Sequence, residues 1–120
     1  MLLTILCSPQ KIDIEEKKRI VKKYDITFNV RNGCGEKGLA LNIRNQLIDK
    51  GFNVLAFGNA DKFLYRKTIL LVQKNDQEKK IKVKEILNIS RIYPQIKKNS
   101  IYDFVLIVGE DWEKYFENGE

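Results

Sequence analysis

The sequence predicts an α+β fold, a two-layer sandwich in which one β-sheet carries helices on one of its faces. Four strand-like runs lie at residues 25–31, 52–57, 67–73 and 103–108, each either alternating in polarity or continuously apolar. Helical patterns separate the first run from the second and the third run from the fourth. The resulting order, βαββαβ, is that of ferredoxin-like domains, and we expect an extra helix at the N-terminus.

The first half of the predicted domain has regular periodicity. The apolar face of the strand at 25–31 comprises Ile26, Phe28 and Val30, and Tyr24, just before the strand, extends it. The helix predicted at 38–50 has an apolar stripe formed by Leu39, Ala40, Ile43, Leu47 and Ile48. Gly51 follows at the position where helices commonly end in left-handed backbone.

The second half continues with a loop at 58–66 between two strands. Asn75-Asp76 can cap a helix at 76–88, whose inward residues are predicted to be Ile81, Ile86 and Leu87. A short edge strand is expected near residues 89–93. The last run, 103–108, is apolar over consecutive residues, which predicts a strand in the centre of the sheet.

The chain divides into three parts. We predict the folded domain at residues 24–116, preceded by a segment at 1–23 and followed by an acidic tail at 117–120. The charged stretch 9–23 is expected to form a short helix or stalk. It is either a spacer from an anchor or an ordinary surface helix.

The first seven residues, MLLTILC, are similar to the end of a bacterial lipoprotein signal, which makes Cys7 a candidate lipidation site. The similarity is incomplete, because no basic segment precedes the apolar run and Leu6 stands where a small residue is usual. Either the true start lies upstream of Met1, or the run is a trimmed signal, or the match is an accident. In the first two cases we expect the N-terminus to tether the domain to a membrane.

The composition excludes several kinds of site. The 120 residues include no histidine and two cysteines, Cys7 and Cys34, which lie far apart in the sequence. Most zinc sites need more nitrogen or sulfur ligands than this. Catalysis by Ser-His-Asp or Cys-His groups requires a histidine. We therefore expect no metal site and no nucleophilic active site.

Charge is distributed unevenly along the chain, whose net charge is +6. Residues 1–108 contain 21 Lys or Arg and 11 Asp or Glu, a net of +10. Residues 109–120 contain one basic and five acidic residues, a net of −4. A basic body suits an anionic partner such as nucleic acid, phospholipid or a wall polymer. The plainer interpretation is a solvated, lysine-rich surface.

Residues 33–38, GCGEKG, match the G-x-G-x-x-G pattern of dinucleotide-binding turns between a strand and a helix. Such a site also needs an acidic residue about twenty positions later, to bind the ribose. Gly58 occupies that position, and the nearest acid, Asp61, already lies in a loop. Too few strands follow to complete the fold. We therefore expect no cofactor.

The three glycines of this turn are better explained by the path of the main chain. Asn32-Gly33 is expected to turn the chain out of the strand, Gly35 to adopt a positive φ, and Gly38 to allow close packing of the helix. The amide groups of the turn could also bind an anion as a nest.

Four blocks of sequence together resemble the LytR C-terminal domain family: NVRNGCGEKGLALNIRNQLIDKGFNV, FGNADKFLYRKT, a helix, and DFVLIVGEDW. The resemblance covers residues 25–112. The matching positions are Val30, Asn32, Gly33, Gly35, Gly38, Leu39, Ala40, Leu47, Gly51, Phe52, Val54, Gly58, Asn59, Ala60, Tyr65, Thr68, Asp103, Gly109, Asp111 and Trp112. It implies an exported, non-catalytic module of the bacterial cell envelope. The chain departs from the family pattern at Cys34 and in its lysine-rich second helix.

The candidate binding surface comprises Asn32, Gly33, Gly35, Gly38, Asn59, Tyr65, Asp111 and Trp112. Each residue also has a structural interpretation. Asn59 is expected to adopt left-handed backbone, Tyr65 to pack across its loop with its hydroxyl in water, and Asp111 to bond to nearby backbone. Trp112 is expected to close one end of the core.

Three functions remain open at this stage. The leading hypothesis is an extracytoplasmic binding module that recognises a peptidoglycan-linked polymer or an envelope protein, with no nucleic acid expected as partner. The alternative is a cytoplasmic, basic ferredoxin-like module that binds nucleic acid through aromatic residues on an open sheet face. No ribonucleoprotein motif supports it, and Phe28 is expected to be buried. A nucleotide-binding enzyme is the third and weakest candidate.

Overall fold

The computed structural model describes residues 24–118. Its elements, in chain order, are β1 (Thr27–Asn32), α1 (Leu39–Asp49), β2 (Asn53–Asn59), β3 (Ile69–Val72), α2 (Gln77–Leu87), β4 (Ile92–Pro94), β5 (Phe104–Val108) and a 3-10 turn at Trp112–Lys114. The α+β class is confirmed. The predicted N-terminal helix, the segment 1–23 with Cys7 and the end of the acidic tail lie outside the described residues.

The five strands form one mixed sheet in the order β2-β1-β5-β3-β4. β1 is parallel to both β2 and β5, β3 is antiparallel to β5, and β4 is parallel to β3. The ferredoxin-like order is not confirmed. That arrangement is built on a split βαβ unit, whereas here β1 and β2 pair directly. The short edge strand expected near residues 89–93 is present as β4, which lies at the edge of the sheet beside β3.

The last strand lies in the centre of the sheet, as predicted. β5 stands between β1 and β3, and Phe104, Leu106, Ile107 and Val108 are buried. A strand that is apolar over consecutive residues buries more apolar surface when it has a neighbouring strand on each side than when it lies at the edge of a sheet. This preference places β5 beside β1, and β2 is left at the edge.

A single core lies between one face of the sheet and the two helices. Phe28 of β1 pairs with Phe104 of β5, and Val30 pairs with Leu106, so alternate residues of both strands point to the same side. Phe28 is fully buried, as expected, and its ring centroid lies 5.5 Å from that of Phe104. The predicted residues Leu39, Ala40, Ile43 and Leu47 of α1 complete this layer.

The second helix begins as predicted, and of its three predicted inward residues Leu87 and Ile86 contact the core but Ile81 does not. Asp76 caps it by accepting a hydrogen bond from the backbone N–H of Lys79 at 3.1 Å. Leu87 is buried, but Ile81 is 55% exposed, so its predicted place in the core was wrong. The fully buried residue is Val83, four positions before Leu87 on the same helical face.

Asp103, just before β5, ties the start of that strand to the start of β1. Its carboxylate is buried and accepts hydrogen bonds from the backbone N–H and the hydroxyl of Thr27, at 2.9 and 3.1 Å. Lys79 of α2 forms an ion pair with it at 3.2 Å. The carboxylate therefore links β1, β5 and α2.

The other face of the sheet is not covered by either helix. It carries Asn29, Arg31, Leu71 and Val105, all half-buried. We call this side the open face.

Within residues 24–118, neither helix is long and apolar enough to cross a membrane.

Candidate functional site

Most of the predicted binding residues meet where the parallel strands end. β1, β2 and β5 run in the same direction, so the segments that follow them leave the sheet at the same end, the carboxyl end of these strands. These segments are the glycine turn at 33–38, the loop at 60–66 and the residues from Gly109 to Trp112. They form what we call the turn cluster.

Asn32 organises the glycine turn from inside the protein. Its side chain is almost completely buried, and its Oδ1 accepts hydrogen bonds from the backbone N–H groups of Cys34 and Gly35, at 3.1 and 3.0 Å. Its Nδ2 donates to the carbonyl of Glu36 at 2.6 Å. The amide side chain is fully used in shaping the turn.

These bonds weaken the interpretation of the turn as an anion nest. Cys34 and Gly35 already donate their N–H groups to Asn32, and Gly33 donates its own to the carbonyl of Val108 at 2.8 Å. An incoming anion would have to displace these acceptors. The side chain of Glu36 adds a negative charge to the same turn.

Gly33 is required because Tyr65 lies against it. A β-carbon at this position would lie 2.8 Å from both the Tyr65 ring and Ile107. The backbone N–H of Tyr65 also donates to the carbonyl of Gly33 at 3.0 Å. Tyr65 therefore packs against the glycine turn, and its packing across its own loop stays a prediction.

The other two glycines of the motif serve the backbone conformation. Gly35 has a φ of +84°, as expected. Gly38 has a φ of +73° and no atom within 4 Å of where a β-carbon would be. The expectation that Gly38 allows close helix packing was therefore wrong, since its role is to turn the chain into α1.

Asp111 holds a distant part of the chain. Its Oδ1 accepts hydrogen bonds from the backbone N–H and the hydroxyl of Thr68, at 2.7 and 2.8 Å. The expectation of a bond to nearby backbone was wrong, because the partner lies 43 residues away. The bond fixes the loop before β3 to the segment after β5.

Trp112 closes one end of the core, as predicted. It is 3% exposed and belongs to the main hydrophobic cluster. Its indole Nε1 donates to Oε1 of Glu36 at 3.1 Å, which links the C-terminal turn to the glycine turn.

Asn59 differs from its predicted geometry. It is the last residue of β2 and is exposed. Among residues 24–118, Asn88 is the one non-glycine residue with a positive φ, so the expected left-handed backbone at Asn59 was wrong. Its carbonyl accepts a long hydrogen bond, 3.4 Å, from Nη1 of Arg31.

Two residues important to the turn cluster were not singled out as site residues in the sequence. Thr68 is fully buried, and its hydroxyl also accepts a hydrogen bond from the N–H of Gly109 at 3.0 Å. A β-carbon at Gly109 would lie 2.6 Å from the carbonyl oxygen of Lys67. In the sequence, both residues were noted only among the positions that match the family pattern.

Next to the turn cluster, the open face contains a groove of about 440 Å³. Its floor is aliphatic and is formed by Leu71, Val105 and Ile107. We call it the sheet groove. It lies over the middle of the sheet and not at either edge.

The sides of the sheet groove are polar. β1 contributes Asn29 and Arg31, and the loops contribute Tyr65, Gln95 and Lys97. Asn59 and Asp61 also line it. Of the predicted binding residues, the groove is therefore lined by Asn59 and Tyr65, whereas Asn32, Asp111 and Trp112 form the support beside it.

The two positive charges of the groove, on Arg31 and Lys97, have no ion-pair partner in the described part of the chain. Asn29 is unusual in another way: its Oδ1 is buried and has no hydrogen-bond partner in the described part of the protein. Buried polar groups in folded proteins are nearly always paired.

Metal binding finds no support in the part of the chain that is described. No group of three or more Cys, Asp or Glu side chains in residues 24–118 could hold an ion. Cys34 is a free, half-buried thiol whose Sγ lies 3.6 Å from Oδ1 of Asn32.

The family comparison matches most of the chain. The model of the family described as LytR cell envelope-related transcriptional attenuator matches residues 25–112. Neither a curated protein nor a solved structure matches the chain significantly.

Proposed function

Because the chain belongs to the LytR C-terminal domain family, we propose that it is a non-catalytic binding module of the cell envelope. It recognises a peptidoglycan-linked polymer or an envelope protein on the outer side of the membrane. The family match over residues 25–112 carries this proposal, since it is a family of cell-envelope-associated accessory domains.

The internal use of the turn cluster supports a binding role without chemistry. Two of the predicted surface residues, Asn32 and Asp111, use side-chain polar atoms for hydrogen bonds inside the protein. They shape the surface beside the sheet groove. Tyr65 and Asn59 line that groove and are the predicted residues placed to contact a partner.

A tether would make weak binding sufficient. We propose that residues 1–23 connect the domain to the membrane, with Cys7 as the lipid attachment site. Confinement next to the wall raises the effective concentration of the polymer, so that a modest intrinsic affinity is enough. No cofactor takes part.

Cosedimentation with purified sacculi tests the polymer version. The protein should pellet with sacculi, and the pelleted fraction should fall as salt rises, because a basic body binds an anionic polymer through charges that salt screens. If the protein stays in the supernatant at every salt concentration, the partner is an envelope protein or the proposal is wrong. Crosslinking in intact cells, followed by identification of the crosslinked species, separates these two outcomes.

A further inference from the structure

We propose that the sheet groove is the ligand site, and that its ligand is an anionic glycan. By this we mean a sugar chain that carries phosphate or carboxylate groups together with hydroxyl or amide donors. The inference rests on the proposed function and specifies where on the domain the polymer binds and which chemical groups it offers.

The size and lining of the groove suit part of a sugar chain. Its volume of about 440 Å³ lies within the range of roughly 300–1,000 Å³ that is usual for small-molecule sites. An aliphatic floor of Leu71, Val105 and Ile107 can cover the C–H face of a sugar ring. Polar side chains around that floor can bond to the ring's outer groups.

The guanidinium group of Arg31 is positioned to bind an oxyanion. A β-carbon at Gly58 would lie 2.9 Å from Nη1 of Arg31, so the absence of a side chain there lets the guanidinium lie against β2. It makes one long hydrogen bond, 3.4 Å to the carbonyl of Asn59, and has no carboxylate partner among residues 24–118. A planar guanidinium with free N–H groups binds phosphate or carboxylate with two parallel bonds. Lys97 adds a second positive charge to the lining of the same groove, and Asp61 adds one negative charge, so the lining has a net charge of about +1.

The side chain of Asn29 also indicates a ligand in the groove. Its buried Oδ1 has no donor in the described part of the protein, and a buried acceptor without a partner is costly to keep. The terminal amide torsion of asparagine is soft, so the amide can turn toward a donor that enters the groove. A sugar hydroxyl or an N-acetyl N–H provides that donor. A bond to the ligand would then pair an acceptor that has no donor within residues 24–118.

Two other polymer classes fit the groove less well. An extended peptide adds to the free edge of a sheet, where main-chain groups are unpaired, whereas the groove lies over β1, β5 and β3, which are already paired. Single-stranded nucleic acid needs aromatic faces on which bases stack. Tyr65 is the one aromatic residue that lines the groove, and its ring packs against Gly33.

Titration of ¹⁵N-labelled protein with soluble oligomers tests the inference. The probes are a glycerol-phosphate oligomer, a hexuronate oligosaccharide, neutral chitotetraose and a single-stranded DNA oligonucleotide. We expect one or both anionic sugar-type probes to shift the amide signals of β1, β5 and residues 95–97. The first two probes distinguish phosphate from carboxylate as the recognised anion.

Variants make the test specific. The double variant Arg31→Gln/Lys97→Gln should bind at least about tenfold more weakly, the loss expected for a charge-assisted bond. The matched double variant Lys74→Gln/Lys84→Gln removes two exposed charges away from the groove and should bind as the wild type does. Asn29→Leu is nearly isosteric and should lose binding by a similar factor while its midpoint of urea unfolding stays equal or rises. A purely structural asparagine would instead lower that midpoint.

Several outcomes would overturn the inference. The first is that neither anionic probe shifts the amide signals, or that the shifts are confined to the helix side. The second is that chitotetraose or DNA binds as tightly as the anionic sugars. The third is that both double variants lose the same amount of affinity. The sacculus assay separates this failure from failure of the proposed function. If the wild type and Arg31→Gln/Lys97→Gln pellet equally, the site is wrong and the function stands.

Discussion

Asp111 of the turn cluster is hydrogen-bonded to Thr68, which lies 43 residues earlier in the chain. One carboxylate oxygen accepts both the N–H and the hydroxyl of Thr68, at 2.7 and 2.8 Å, and the same hydroxyl accepts the N–H of Gly109. Three donors are thereby paired with two acceptors inside the protein. This geometry makes Asp111 a determinant of stability.

Replacing Asp111 should therefore destabilise the fold. Asp111→Ala leaves the N–H of the fully buried Thr68 unpaired, which we expect to cost about 1–3 kcal/mol in the free energy of unfolding. Asp111→Asn retains an acceptor and should cost less. Urea denaturation measures both, with the exposed Glu110→Ala as control, expected within about 0.5 kcal/mol of the wild type. Equal stability of Asp111→Ala and Glu110→Ala would contradict this assignment.

The glycines of the turn cluster should differ in their tolerance of alanine. In Gly109→Ala the β-carbon overlaps the backbone of Lys67, and backbone cannot move aside as a side chain does. We expect a loss of about 3 kcal/mol or more. Gly38→Ala meets no atom and bears only the strain of a positive φ, about 1–2 kcal/mol. Urea midpoints in the reverse order would show that the two roles are wrongly assigned.

The two partners of the Lys79–Asp103 ion pair should contribute unequally. Asp103→Ala removes the acceptor of the Thr27 N–H and hydroxyl as well as the ion pair, which we expect to cost about 1–3 kcal/mol. Lys79 is 31% exposed, so Lys79→Ala loses a solvent-screened interaction worth at most about 1 kcal/mol. The stabilities of both variants at one pH decide the matter. A larger effect for Lys79→Ala would be inconsistent with the geometry.

The inward face of α2 can be tested with two neighbouring residues. Val83 is fully buried and Ile81 is 55% exposed. Val83→Ala should cost about 1–3 kcal/mol because it leaves a cavity in the core. Ile81→Ala should change stability by less than about 0.5 kcal/mol. If Ile81→Ala proves the more damaging substitution in urea denaturation, α2 is rotated relative to the sheet.

Inorganic phosphate provides a test of the glycine turn. The amides of Cys34 and Gly35 already donate to Asn32, so phosphate should leave their signals unmoved in ¹⁵N-labelled protein. In Asn32→Ala, if it folds, the same amides are free and should become sensitive to the anion. Saturable shifts at these two amides in the wild type would restore the nest as a binding site.

The candidate site was predictable only in part. The glycine turn and Trp112 stand out in the sequence because a turn between a strand and a helix, and a large aromatic residue, carry local signals. Arg31 and Asn29 carried none: each is one polar residue in a strand, as a strand with one wet face requires. Their importance appears only when the sheet brings them beside residues of β3, β5 and the loop after β4.

The sequence by itself determined the elements. The four main strands and both helices begin and end within two residues of their predicted positions. The cap at Asp76 and the positive φ of Gly51 are also found where the sequence predicted them. These features depend on periodicity and on backbone preferences that act over a few residues. The tertiary structure alone decided that β5 enters between β1 and β3. It also decided that Asp111 reaches Thr68 and that one sheet face holds an open groove. Such choices depend on which distant segments pair, and the free energy of that pairing comes from burying surfaces that are far apart in the chain.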